Sequence, residues 1–183
     1  MKQFKRIITR IGLFLLIVVI GAMLCFFLYF QYGGHFLIDN KKTIDFVEKI
    51  TSSSQLPENF YKAYNLIHPH SLDGGQWSYF YYRDIKKGLN SECPCRCVAY
   101  DYSYTKYSIK NLPLATFHLE HYVTQKECLN YMVDKKNIEQ YSLKKYGKKL
   151  GELNDLEIIK IVLRMEGRDK DSLRAKKILL KML

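Results

Sequence analysis

An apolar run from Ile11 to Tyr32 contains no charged residue and is preceded by Lys2, Lys5, Arg6 and Arg10. About 20 apolar residues, rising about 1.5 Å each, cross a hydrocarbon core of roughly 30 Å. A secretory signal has a shorter apolar stretch, of about 7 to 15 residues, and a small-residue cleavage site. This run is longer, and no Ala-x-Ala-like site follows it. Phe26, Phe27, Tyr29, Phe30 and Tyr32 crowd its far end, as aromatic rings do at a bilayer interface. The sequence therefore predicts a basic tail over 1–10 and an uncleaved transmembrane helix over 11–32. Only Lys41 and Lys42 follow shortly after the span. The positive-inside rule then places the N-terminus in the cytoplasm and the rest of the chain outside the cytoplasmic membrane of a bacterium.

The balance of 29 Lys+Arg against 18 Asp+Glu gives a formal charge of +11. Outside the cytoplasm such basicity argues against nucleic acid and suits anionic headgroups, pyrophosphates or acidic wall polymers. Solvated helix faces account for it equally well. Of the five cysteines, Cys25 lies in the span, while Cys93, Cys95, Cys97 and Cys128 follow it. In a strand, alternate thiols stand about 6.6 to 7 Å apart, at or beyond the usual disulfide separation. An oxidising compartment then favours a bridge from one of the trio to Cys128, leaving two thiols to bond in a turned loop or stay free. A zinc site with four thiolates has Cys-x2-4-Cys spacing, which this is not.

Residues 33–56 read as a juxtamembrane helix and linker, with Ile44, Phe46, Val47 and Ile50 at helical spacing before Thr51-Ser-Ser-Ser54. Pro57 opens the remaining domain, 57–183, with Phe60, Ala63, Tyr64 and Ile67 on one helix face. Trp77 to Arg83 is dense in aromatics suited to packing or to a membrane interface. From Cys93 to Ser108, Val98, Tyr100, Tyr102 and Tyr104 alternate with Ala99, Asp101 and Ser103, which predicts a small β-hairpin. From Leu112 onward the pattern is helical. Thr124 to Glu127 forms a capping box, Gly147 ends the next helix, Asn154 to Glu157 caps another, and Asp169 to Leu183 reads as a basic last helix. The fold class expected is mainly α.

Val123 to Leu129, Ile138-Glu139, Tyr146-Gly147-Lys148, Glu152 to Asp155 with Glu157, and Ala175 to Met182 follow one another in an order that resembles the family 51 peptidoglycan glycosyltransferases, the lysozyme-like domains of bifunctional penicillin-binding proteins. Val123 to Leu129 is similar to the family's "lysK-x-x-IL" helix start, and Ile138-Glu139 to its "GIE" segment. Tyr146-Gly147-Lys148, then Glu152 to Asp155 and Glu157, resembles "YFGK…ELt-x-x-E", and Ala175 to Met182 resembles the terminal "A-x-x-R-x-x-x-VL-x-x-M". The resemblance implies a lysozyme-like helical domain on a membrane anchor, working in cell-wall assembly.

Its catalytic half is altered. His68-Pro69 stands where the family's Glu-Asp pair would be, and the family's "RK-x-x-E" segment is reduced to Lys110. Gly74-Gly75-Gln76 comes six residues after His68, too soon for the "GGSTITQQ" donor segment, and no Ser-Thr follows it. A general base must be ionisable and within hydrogen-bond reach of the proton it takes. His68 and Glu120 are the candidates for that work. For a polyprenyl-pyrophosphate-linked sugar or glycan strand, the resemblance leaves Lys106, Lys110, Lys148 and Lys149 as cations and Trp77 as a sugar platform. The other class of reading is a noncatalytic envelope scaffold that docks another cell-wall protein through the aromatic and Cys-rich region. No cofactor is implied. His68-x-His70 and His118-x-x-His121 lack the i, i+4 spacing of a helical zinc motif, so no metal is expected.

Overall fold

The structure, a computed structural model, describes residues 2–37, 40–86, 92–104, 112–165 and 167. Among these residues there is no strand. The elements in chain order are α1 (Lys2–Leu37), α2 (Asn40–Thr51), α3 (Glu58–Ile67), α4 (Gln76–Phe80) with a π-helical continuation (Tyr81–Ile85), α5 (Pro94–Tyr104), α6 (Leu112–Glu120), α7 (Gln125–Lys135), α8 (Ile138–Tyr146), a 3-10 turn (Leu150–Glu152) and α9 (Asp155–Met165). Lys106, Lys110 and the segment from Asp169 to Leu183 lie outside the described residues.

The expected β-hairpin is replaced by helix α5. Pro94 sits in its first turn, where a fixed φ near −65° favours helix and the missing N–H costs nothing. Cys95, Val98 and Ala99 are buried, and Tyr102 packs beside them, which is the i, i+3, i+4, i+7 pattern of a helix face. Tyr100, on the same face as Val98 in a strand, is 41% exposed here. The alternation of tyrosines therefore loses to the helical spacing of the smaller buried residues.

Helix α1 is 36 residues long, and its Thr9–Gly34 stretch is long and apolar enough to cross a bilayer. Its side chains from Ile11 to Tyr29 are exposed, but its last turns belong to the folded body. There α1 crosses α6 closely. A Cβ on Gly34 would lie 2.5 Å from Cβ of His118, so only glycine permits this approach. Phe27 stacks on Trp77 with ring centroids 5.4 Å apart, and Phe30 meets Phe117 at 6.1 Å.

Two cores share α7. In the first, Phe60, Ala63, Tyr64 and Ile67 of α3 pack on α9, whose Ile158, Ile159, Ile161, Val162 and Leu163 are all at most 1% exposed. Leu129 and Val133 of α7 close it. The second joins Ile50, Tyr79, Cys95, Val98, Ala115, Leu119 and Cys128. Short local signals set the ends of these helices. Thr124 accepts from Glu127 N at 3.2 Å while Glu127 accepts from Thr124 N at 2.7 Å, and Asn154 and Glu157 exchange the same pair of bonds at 2.9 Å. Gly147 ends α8 at φ +67°, the left-handed conformation that glycine adopts without strain.

Candidate functional site

Glu120, at the end of α6, gathers four elements around one carboxylate. Its Oε1 accepts from the backbone N–H of Gln76 at 2.8 Å, from Gln125 Nε2 at 2.8 Å and from Cys93 Sγ at 3.6 Å. Gly75 makes room for it: a Cβ there would lie 2.7 Å from Glu120 Oε2. Gln125 extends the network, its Oε1 accepting from Cys95 N at 3.0 Å and from Cys93 Sγ at 3.4 Å. A disulfide joins Cys95 to Cys128, with Cα atoms 5.1 Å apart, and ties α5 to the first turn of α7.

The electrostatics of this knot suit a structural role. Burial raises the Glu120 carboxyl above its ordinary value, although its hydrogen bonds from Gln76 and Gln125 pull the other way. Cys93 is buried with Glu120 beside it, and both effects push its thiol far up. Burial also pushes the Cys97 thiol up to about 11. Both thiols are protonated at neutral pH and therefore poor nucleophiles.

The other sequence candidates are dispersed. His68 is 1% exposed, in the turn after α3, with its ring centroid 4.9 Å from that of Tyr64. Its backbone N–H donates to Tyr64 O at 2.8 Å. His70 stacks on Tyr82, His118 lies 3.4 Å from the hydroxyl of Thr43, and His121 Nδ1 lies 2.7 Å from the carbonyl of Phe117. Lys148 pairs with Glu157 at 3.1 Å. Lys149 lines an open cavity of 590 Å³ with Asp134, Glu139 and Glu152, so its charge stands among acids. Trp77 has one face on Phe27 and a second neighbour in Phe117 at 4.8 Å.

Three further cavities are lined by described residues: one of 400 Å³ between Tyr64, Cys97 and Met132, one of 310 Å³ beside Arg83 and Arg96, and one of 430 Å³ by Arg164. Neither His68 nor Glu120 lines any of these four. The structure thus groups Glu120 with the cysteines and leaves His68, Lys148 and Lys149 apart from it. The sequence by itself gives no site role to Gln76, Gln125, Arg83 or Arg96. The Gly74-Gly75 pair was the one available signal for a close approach at Gln76. Comparison with protein-family models, with curated proteins and with solved structures finds no match to this chain.

Proposed function

We propose that this chain is a membrane-anchored, extracytoplasmic domain of the peptidoglycan glycosyltransferase type that has lost catalysis and serves cell-wall assembly by binding lipid-linked or glycan ligands. Helix α1 supplies the anchor, and the basic residues of its first turns hold the N-terminus in the cytoplasm. The Cys95–Cys128 bridge fits the oxidising side of the membrane.

One observation carries the reading: neither candidate proton-transfer group lines any of the four cavities described above. Glu120 fills its Oε1 with donors from three residues, and His68 is closed from solvent. A catalytic base must reach a substrate hydroxyl, directly or through one water. Purified full-length protein in detergent is therefore expected to form no glycan strands from a polyprenyl-pyrophosphate-linked disaccharide-pentapeptide, as read by gel separation of labelled product. Strands that disappear on His68→Ala or Glu120→Gln would contradict the proposal.

A further inference from the structure

Arg83 and Arg96 approach one ring from two elements. The guanidinium carbon of Arg83 lies 5.1 Å from the Tyr79 centroid and that of Arg96 lies 4.9 Å from it. Both arginines line the 310 Å³ cavity between α4 and α5. Among the described residues, neither guanidinium has a carboxylate within ion-pair distance, and Nη1 of Arg96 is buried with no hydrogen-bond partner. Glu92 lines the same cavity and the charge of Asp84 also acts on Arg96, yet neither acid is within ion-pair distance of either guanidinium. Burial, and after it the neighbouring charge of Arg83, disfavour the charged form of Arg96, while Cys93, Cys97 and Asp84 pull the other way and burial prevails. Two like charges held together around an unsatisfied buried donor make a seat for an anion with several acceptor oxygens.

The position of this seat identifies the anion. Trp77, Tyr81 and Ile85 recur every fourth residue along α4 and its π-helical continuation, and are 40%, 44% and 71% exposed. This apolar stripe begins against Phe27 of α1, on which Trp77 stacks. Phe27 stands about 25 Å along the helix from Arg10, near the far edge of a hydrocarbon layer roughly 30 Å thick. Arg83 follows Trp77 by six residues, less than about 10 Å of helix, which keeps its guanidinium within reach of a headgroup zone beside the end of the span.

We infer that the cavity between α4 and α5 takes the phosphate of an anionic phospholipid, held by Arg83 and Arg96, with the Trp77–Tyr81–Ile85 stripe lying in the bilayer interface beside it. This rests on α1 spanning a bilayer, and is independent of whether the domain has catalytic activity.

The test uses the full-length chain in a nonionic detergent, with bound lipid measured by native mass spectrometry. Phosphatidylglycerol is expected to bind about tenfold or more tighter than zwitterionic phosphatidylcholine, and the double variant Arg83→Gln/Arg96→Gln to lose that preference while keeping the parent's melting point. Millimolar inorganic phosphate is expected not to displace the lipid; displacement would make the ligand a soluble phosphate and overturn the lipid assignment. A second measurement needs no variant. Trp77 is the only tryptophan, so its fluorescence in vesicles of phosphatidylcholine and phosphatidylglycerol reports this stripe alone. Quenching by a nitroxide at the top of the acyl chain is expected to exceed quenching by aqueous iodide. Equal binding of the two lipids by the parent, unchanged phosphatidylglycerol affinity in a folded double variant, or dominant iodide quenching would each overturn the inference.

Discussion

Replacing Cys128 with serine is expected to lower the melting temperature of the purified protein by roughly 10 °C. The bridge to Cys95 closes a sequence separation of 33 residues, and the loop entropy it removes from the unfolded chain corresponds to about 3 to 4 kcal/mol. Both sulfurs lie in the core shared by α5, α6 and α7, at 0% exposure. The serine hydroxyl adds the cost of a buried polar group without a bonded partner. Circular dichroism melts of the parent and variant, with and without reductant, check this. Cys25→Ser, in the exposed apolar part of α1, is expected to change nothing. A parent that melts identically with reductant, after mass mapping shows the bridge opened, would contradict it.

Glu120→Ala is expected to cost about 2 to 4 kcal/mol, because the backbone N–H of Gln76 and the Gln125 amide lose their acceptor in a buried setting. Glu120→Gln keeps one acceptor oxygen and is expected to cost about 1 kcal/mol. The two variants also differ from the parent in pH response. Since burial raises the Glu120 pKa, the neutral carboxyl is the form that the fold favours. The contribution to stability is complete below the ordinary value of 4.5 and is lost as pH rises through the raised one. Relative to Glu120→Gln, the parent should therefore lose stability across that window, as urea titrations at a series of pH values would read. An opposite slope would mean that hydrogen bonding to the carboxylate outweighs its burial.

Local signals were legible in this sequence, and long-range ones were not. The capping pairs Thr124–Glu127 and Asn154–Glu157 act within one turn, so three-residue spacing was enough to place the starts of α7 and α9. The uncharged run after Arg10 gave the long apolar helix for the same reason. Between Cys93 and Tyr104 two periodicities coexist, and the decision came from tertiary contacts: the bridge to α7 and the packing of Val98 and Ala99. The Glu120 knot joins Gln76 and Glu120 across 44 residues. In the sequence Gly74-Gly75-Gln76 stands too close to His68 for a donor-binding segment, and nothing local shows that a carboxylate fills the space beside Gly75. Arg83 and Arg96 likewise meet only because α4 and α5 converge on Tyr79.

The central claim is that α1 holds this domain on the outer side of the cytoplasmic membrane, and the side of the membrane can be measured directly. Single cysteines introduced at Ser52, exposed in the turn after α2, and at Gln3, in the basic tail, are treated in intact spheroplasts with a maleimide that cannot cross the bilayer. Cys25 and Cys97 are replaced by serine in both variants and in the reference chain, whose remaining free thiol, Cys93, is buried. The account predicts modification at Ser52→Cys and none at Gln3→Cys until the membrane is permeabilised. Modification at Gln3→Cys alone would contradict it, placing the disulfide, the Glu120 knot and the two-arginine cavity on the cytoplasmic side.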